Sequence, residues 1–235
     1  MYYKHLFTTT AALALASTAA FADGPSVSVT ELPITATSGQ TGFVGGSVGL
    51  EYGRLTNEYG EEANLTSQSV SLEYAATPKL AFAIDLENQS TSDYYNVGGT
   101  VVTLHGIYTL NSNVKLGAWV ARDDNSWTEF RGKGLEISYN TDALELQAHW
   151  GDWSESPNTA QDGSGPQIGI SADYKFGNGF SVNAAMTRAN LQNANYTNWV
   201  IGGAYKLSSS LSLFAAAGNY YNDQYPYSEK TMAIG

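Results

Sequence analysis

The chain has 235 residues, no cysteine, and 22 acidic against 11 basic side chains, a net charge of −11. That balance excludes a nucleic-acid binder that works by neutralising phosphates, and the lack of cysteine excludes disulfide staples. With 24 Gly, 16 Tyr and only 14% charged residues, the composition points to many strands and not to disorder. No window reaches the roughly 18 consecutive apolar residues of a membrane helix, so any membrane span is made of strands.

Residues 1–22 have the form of a secretory signal peptide. Lys4 and His5 precede an apolar and small-residue run, and Ala20-Phe21-Ala22 offers a cleavage site. Cleavage there removes Lys4, leaving 22 acidic against 10 basic residues and a net charge of −12. Residues 23–41 are polar, carry Pro25 and Pro33, and are expected to form an N-terminal periplasmic segment before the folded part.

From residue 42 onward a two-residue alternation of apolar and polar side chains recurs eleven times and begins a twelfth. In chain order the expected apolar faces begin with Val44, Val48, Leu50 and Tyr52. Next come Val70, Leu72 and Tyr74, then Leu80, Phe82, Ile84 and Leu86. Val102, Leu104, Tyr108 and Leu110 follow, then Val114, Leu116, Ala118 and Val120. Leu135, Ile137 and Tyr139 precede Leu144, Leu146, Ala148 and Trp150. Residues 165–188 read as a hairpin. Ile168, Ile170, Ala172, Tyr174 and Phe176 face Phe180, Val182, Ala184 and Met186, and Asn178-Gly179 suits a two-residue type I′ turn. Trp199 to Leu207 and Leu211 to Ala217 follow, and Met232 and Ile234 start a last strand that looks truncated. Ten or fourteen strands stay open if a hairpin is miscounted.

The connections alternate in length. Short ones lie at 77–79, 111–113, 140–142, 177–179 and 208–210. Long polar ones lie near 55–65, 88–99, 123–130, 151–165, 189–197 and 219–229. Short turns at one end and long loops at the other, with an even strand number, is the plan of a transmembrane up-and-down antiparallel barrel. A second regularity agrees with it. Tyr74, Tyr108, Tyr139, Tyr174 and Tyr205 sit on the apolar face shortly before a short turn, which is the expected place of an aromatic girdle.

On this pattern residues 42–235 resemble the Gram-negative outer-membrane porins, especially small alphaproteobacterial porin-like proteins. The resemblance implies an all-β barrel of about twelve strands in the outer membrane of a Gram-negative bacterium. It also implies passive diffusion of small hydrophilic solutes or ions. Outer-membrane lipid and lipopolysaccharide are the implied surroundings, the barrel-assembly machinery is an implied partner, and a homo-oligomer stays open. Two departures stand out. Porins of this kind usually end in an aromatic residue, whereas this chain ends at Gly235, and the loop at 123–130 is too short to fold into a pore.

The inward parity collects Glu51, Glu73, Asp85, Glu87, Glu136, Glu145 and Asp173 against Lys115, Lys175 and Lys206, together with His105 and His149. These are the expected pore-lining residues, and their acidic excess favours cations. Arg54, Arg122, Arg131, Lys133 and Arg188 have outward parity at the long-loop rim. There a guanidinium fork suits lipopolysaccharide phosphates. No catalytic residue, metal site or cofactor is expected, because neither His105 nor His149 stands in a recognisable triad frame. The alternatives are a non-channel barrel with a filled lumen, serving adhesion or envelope integrity, and third an outer-membrane hydrolase.

Overall fold

The computed structural model describes residues 41–56, 62–91, 98–125, 129–155, 164–190, 192, 195–208, 211–222 and 227–234, with the short pieces 19–20 and 24–25. The expected signal peptide and the segment 23–41 lie outside the described residues, apart from a two-residue pairing of Ala19–Ala20 with Gly24–Pro25 and Thr41 itself.

Twelve strands form the barrel: β1 (Gly42–Thr56), β2 (Glu62–Thr77), β3 (Leu80–Thr91), β4 (Gly98–Thr109), β5 (Val114–Asn125), β6 (Glu129–Asn140), β7 (Leu144–Glu155), β8 (Ser164–Lys175), β9 (Phe180–Asn190), β10 (Asn195–Ser208), β11 (Leu211–Asn222) and β12 (Tyr227–Ile234). Each pairs antiparallel with its chain neighbours, and β12 returns to β1, from Lys230 opposite Thr56 to Ile234 opposite Tyr52. This closure leaves no sheet edge, so every strand finds its backbone partners within the wall. The strand expected to be cut short is therefore long enough to complete the ring.

The faces are inverted relative to a water-soluble protein. Large apolar side chains such as Leu72, Phe82, Leu104, Leu135, Ile170 and Ile201 are exposed on the outside. Polar and charged residues outnumber apolar ones among the buried, inward-facing set, and most of those apolar ones are alanine. A sheet face that is apolar outward and polar inward matches a lipid surround and a polar interior.

The strands run further than the alternation alone indicates, so the long connections shrink to 57–61, 92–97, 126–128, 156–163, 191–194 and 223–226. Two local expectations change. In β1 a bulge between Phe43 and Gly45 shifts the parity. Phe43 therefore faces outward, while Val44, expected on the outer face, packs inward against Ala75, Ala81, Ala83 and Ile107. The 165–188 hairpin also turns differently. Gly179 N–H donates to the Phe176 carbonyl (3.2 Å) and Gly179 has φ of +85°, so the loop has three residues, centred on Gly177-Asn178 and closed by a left-handed glycine. Asn178 Oδ1 accepts from Phe180 N–H (3.1 Å). Three other short turns use the same side-chain device. Thr77 Oγ1 accepts from Leu80 N–H at 2.9 Å, Asn111 Oδ1 from Val114 N–H at 2.9 Å, and Thr141 Oγ1 from Leu144 N–H at 3.0 Å.

Candidate functional site

Strand parity alone brings Glu73, Asp85, Glu87, His105, Lys115, Glu136, Glu145, His149, Asp173 and Lys175 to the inner wall, all buried or half-buried. Lys206 has the same parity but stands exposed at the short-turn mouth. Glu51 lies on β1, and its side chain is outside the described residues.

At the short-turn end Lys115 stands in the fields of Glu73 and Glu145, with Asp173 directly opposite Glu145 across the β7–β8 ladder. Gln147 donates to Glu145 at 2.7 Å. Midway up the wall a linked triad spans non-neighbouring strands. His105 Nδ1 lies 2.9 Å from Glu136 Oε1 in a hydrogen bond, and Nε2 lies 2.9 Å from Asp85 Oδ2 in an ionic contact. Glu136 on β6 and His105 on β4 meet across β5, where Gly117 stands opposite Glu136 and Trp119 opposite His105. Ser71 donates in turn to Asp85, and higher up Ser67 donates to Glu87 at 2.7 Å. With a carboxylate at each ring nitrogen, His105 has none left to take a proton from a nucleophile, which argues against a hydrolytic triad built on it.

The long-loop half of the wall holds residues that the charge pattern does not single out. Trp119 on β5 and Trp153 on β7 both face inward with ring centroids 5.8 Å apart, and His149 stands edge-on to Trp119 at 6.4 Å. Trp153 Nε1–H donates to Gln167 Oε1 on β8. The rings lie over glycines. A Cβ on Gly132 would come within 2.7 Å of both indoles, and one on Gly151 within 2.6 Å of Trp119. The sequence signal was present, since Trp119 and Trp153 share the parity of Lys115 and of His149. It is easily passed over because an inward aromatic looks like a break in an otherwise polar face. Asp123, also of inward parity, is buried near the same rim.

On the outside, Tyr74, Tyr108, Tyr139, Tyr174 and Tyr205 are all exposed, between 43% and 55%. Each pairs across the sheet with a residue at the beginning of a neighbouring strand, such as Tyr108 with Leu80 and Tyr205 with Phe180. Phe43, Phe82, Phe176 and Phe180 stand at the same end, with the Phe176 ring 4.9 Å from Tyr174 and 5.6 Å from Phe180. At the opposite rim Arg122, Arg131, Lys133 and Arg188 are exposed; the Arg54 side chain is outside the described residues. Arg122 and Arg131 sit directly opposite each other, and Glu129 bridges them, at 3.0 Å from Arg122 Nη2 and 2.6 Å from Arg131 Nε. Asp124 adds a 3.0 Å contact to Arg122. Arg188 donates to Asn190 at 3.1 Å.

Comparison with known proteins agrees with this geometry. A family model described as Gram-negative porin matches residues 37–225. Among solved structures, the NanC porin aligns with a TM-score of 0.60 at 8% identity over 80% of this chain and 98% of its own. The KdgM porin aligns at 0.57 with 12% identity, over 79% and 96%. The CymD monoaromatic hydrocarbon channel aligns at 0.54 with 12% identity, over 83% and 87%. At these identities the likeness is one of fold. No curated protein matches the chain.

Proposed function

Because the chain belongs to the Gram-negative porin family and so to the outer membrane, we propose that its barrel is a passive diffusion channel for small hydrophilic solutes, with a preference for cations. The observation that carries this reading is the inverted wall, with charged and hydroxyl side chains turned inward and the apolar ones outward. Glu73, Asp85, Glu87, Glu136, Glu145 and Asp173, with Glu51, outnumber Lys115, Lys175 and Lys206 along the path. Carboxylates lining a narrow passage attract cations and repel anions. The KdgM porin has been solved with oligogalacturonate, a chain of carboxylates. The acidic wall argues against a solute of that kind here. A triple Glu73→Gln, Glu87→Gln, Asp173→Asn variant in a salt gradient tests the field: its reversal potential moves towards zero, and an unmoved potential removes the cation preference.

A second reading, a barrel with a filled lumen, draws on the near-complete burial of Ile107, Trp119 and Gln167 on the inner wall. Swelling of liposomes in isotonic sugar separates the two, since a filled barrel gives none. Other roles belong to the outside of the same reading. The five tyrosines place their hydroxyls among headgroups on the periplasmic side. Arg54, Arg122, Arg131, Lys133 and Arg188 contact lipopolysaccharide phosphates, with Glu129 holding two of the guanidinium groups in place. Export by the signal peptide and insertion by the barrel-assembly machinery complete it. Loss of co-purifying lipopolysaccharide from an Arg122, Arg131 and Arg188 triple Ala variant is the expected result, and unchanged lipopolysaccharide discards those contacts.

A further inference from the structure

The aromatic group in the long-loop half of the lumen is unlike the rest of the wall. Trp153 remains partly exposed there, yet its indole is held from three directions. Beneath it lies Gly132, where any side chain would strike the ring. At its edge Gln167 accepts the Nε1 proton. Beside it stands Trp119, itself laid over Gly134 and Gly151 and flanked by His149. Gly134 and Gly151 face each other across the β6–β7 ladder, and a Cβ on Gly134 would come within 2.7 Å of Trp119. Strands that give up four inward side chains, at Gly132, Gly134, Gly151 and Gly169, have made room for three rings. An indole fixed in this way loses little freedom on meeting a partner, which is what preorganisation means for binding.

The polar atoms of the group say what kind of partner fits. Trp119 Nε1–H and the Gln167 Nε2 amide are buried donors, and neither finds an acceptor among the described residues. Buried donors left unmet cost free energy, so a solute beside them gains by bringing oxygen acceptors. An aromatic hydrocarbon would stack on the indole but leave both donors unmet. A carboxylated solute would accept from them but meet the acidic wall on its way. A neutral sugar has an apolar C–H face for the ring, hydroxyl oxygens for the donors, and no charge.

We propose that Trp153 is the stacking surface of a neutral-sugar site in the lumen, with Trp119 and Gln167 positioning it and supplying donors. This rests on the channel reading above and names a solute class for it. The test is a refolded barrel in a planar bilayer with maltose added to the salt solution. Maltose interrupts the ion current of the unmodified channel. The interruptions become about tenfold shorter in Trp153→Ala, in keeping with the loss of one aromatic contact. They shorten similarly in Gly132→Val, whose side chain displaces the indole without removing it. Gln167→Leu shortens them too, and Trp199→Phe, on the outer face, leaves them as they were. A channel that passes ions and ignores maltose overturns the inference, as does Trp153→Ala with unchanged interruptions. Interruption by benzyl alcohol in place of maltose overturns the sugar assignment. If no ion current appears, the channel reading fails by itself, and intrinsic fluorescence decides the site: a maltose-dependent shift that Trp153→Phe abolishes supports it, and no shift overturns it.

Discussion

A single histidine shows how the wall is held. His105 is fully enclosed and meets Asp85 and Glu136 at 2.9 Å each, tying β3, β4 and β6 across the intervening β5. Removing one partner of such a buried set leaves carboxylates without a cation, at a cost of about 3 kcal/mol or more. His105→Ala is therefore expected to lower the urea midpoint of the barrel in lipid vesicles. An unchanged midpoint would show that the triad holds nothing. Gly179 is the other residue whose identity is dictated locally. At φ +85° an L side chain is strained by roughly 1–2 kcal/mol, so Gly179→Ala destabilises, whereas Gly177→Ala, which meets nothing within 4 Å, is near neutral. Equal effects of the two in the same assay would contradict the three-residue loop. The sequence marks residues 177–179 as a turn and points to type I′, but the loop formed has three residues, because Asn-Gly suits the two-residue form equally well.

At the level of the strand, alternation carries most of the information. Among the described residues, parity puts Glu73, Asp85, Glu87, Glu136, Glu145, Asp173, His105 and His149 on the enclosed face and the five tyrosines on the exposed one, since a strand's side chains alternate by geometry. It fails where the strand breaks its own period. The bulge at Phe43–Gly45 turns Val44 inward, and no composition rule marks such a bulge in a stretch rich in glycine. Trp119 and Trp153 were hidden for another reason. Parity alone turns them inward, but the room for their rings comes from glycines of neighbouring strands, and a register between strands is not visible from one strand at a time. The outer face gives a direct test of the assignment. Ile170, mid-strand on β8 and 57% exposed, should tolerate Arg poorly, at about 2–4 kcal/mol in a bilayer refolding titration. The same change at Ser181, on the inner face near the short turns, should cost less. Equal costs would deny that the exposed apolar face meets lipid.

For the whole molecule, ring closure, polar interior and apolar exterior form one solution to one constraint. A sheet in lipid must pair all its backbone groups, so it closes, and its outward residues must be apolar. The number of strands and the alternation of short and long connections were legible because both follow from this constraint. Heights around the barrel were not, because strand tilt and stagger decide which acids share a level. The family match agrees with the architecture, and what passes through the lumen is decided by the wall. Single-channel recording in a potassium chloride gradient tests the channel most directly. Discrete steps of ion current are predicted, with a reversal potential on the cation-selective side. Barrels that insert into the bilayer and carry no current would contradict it.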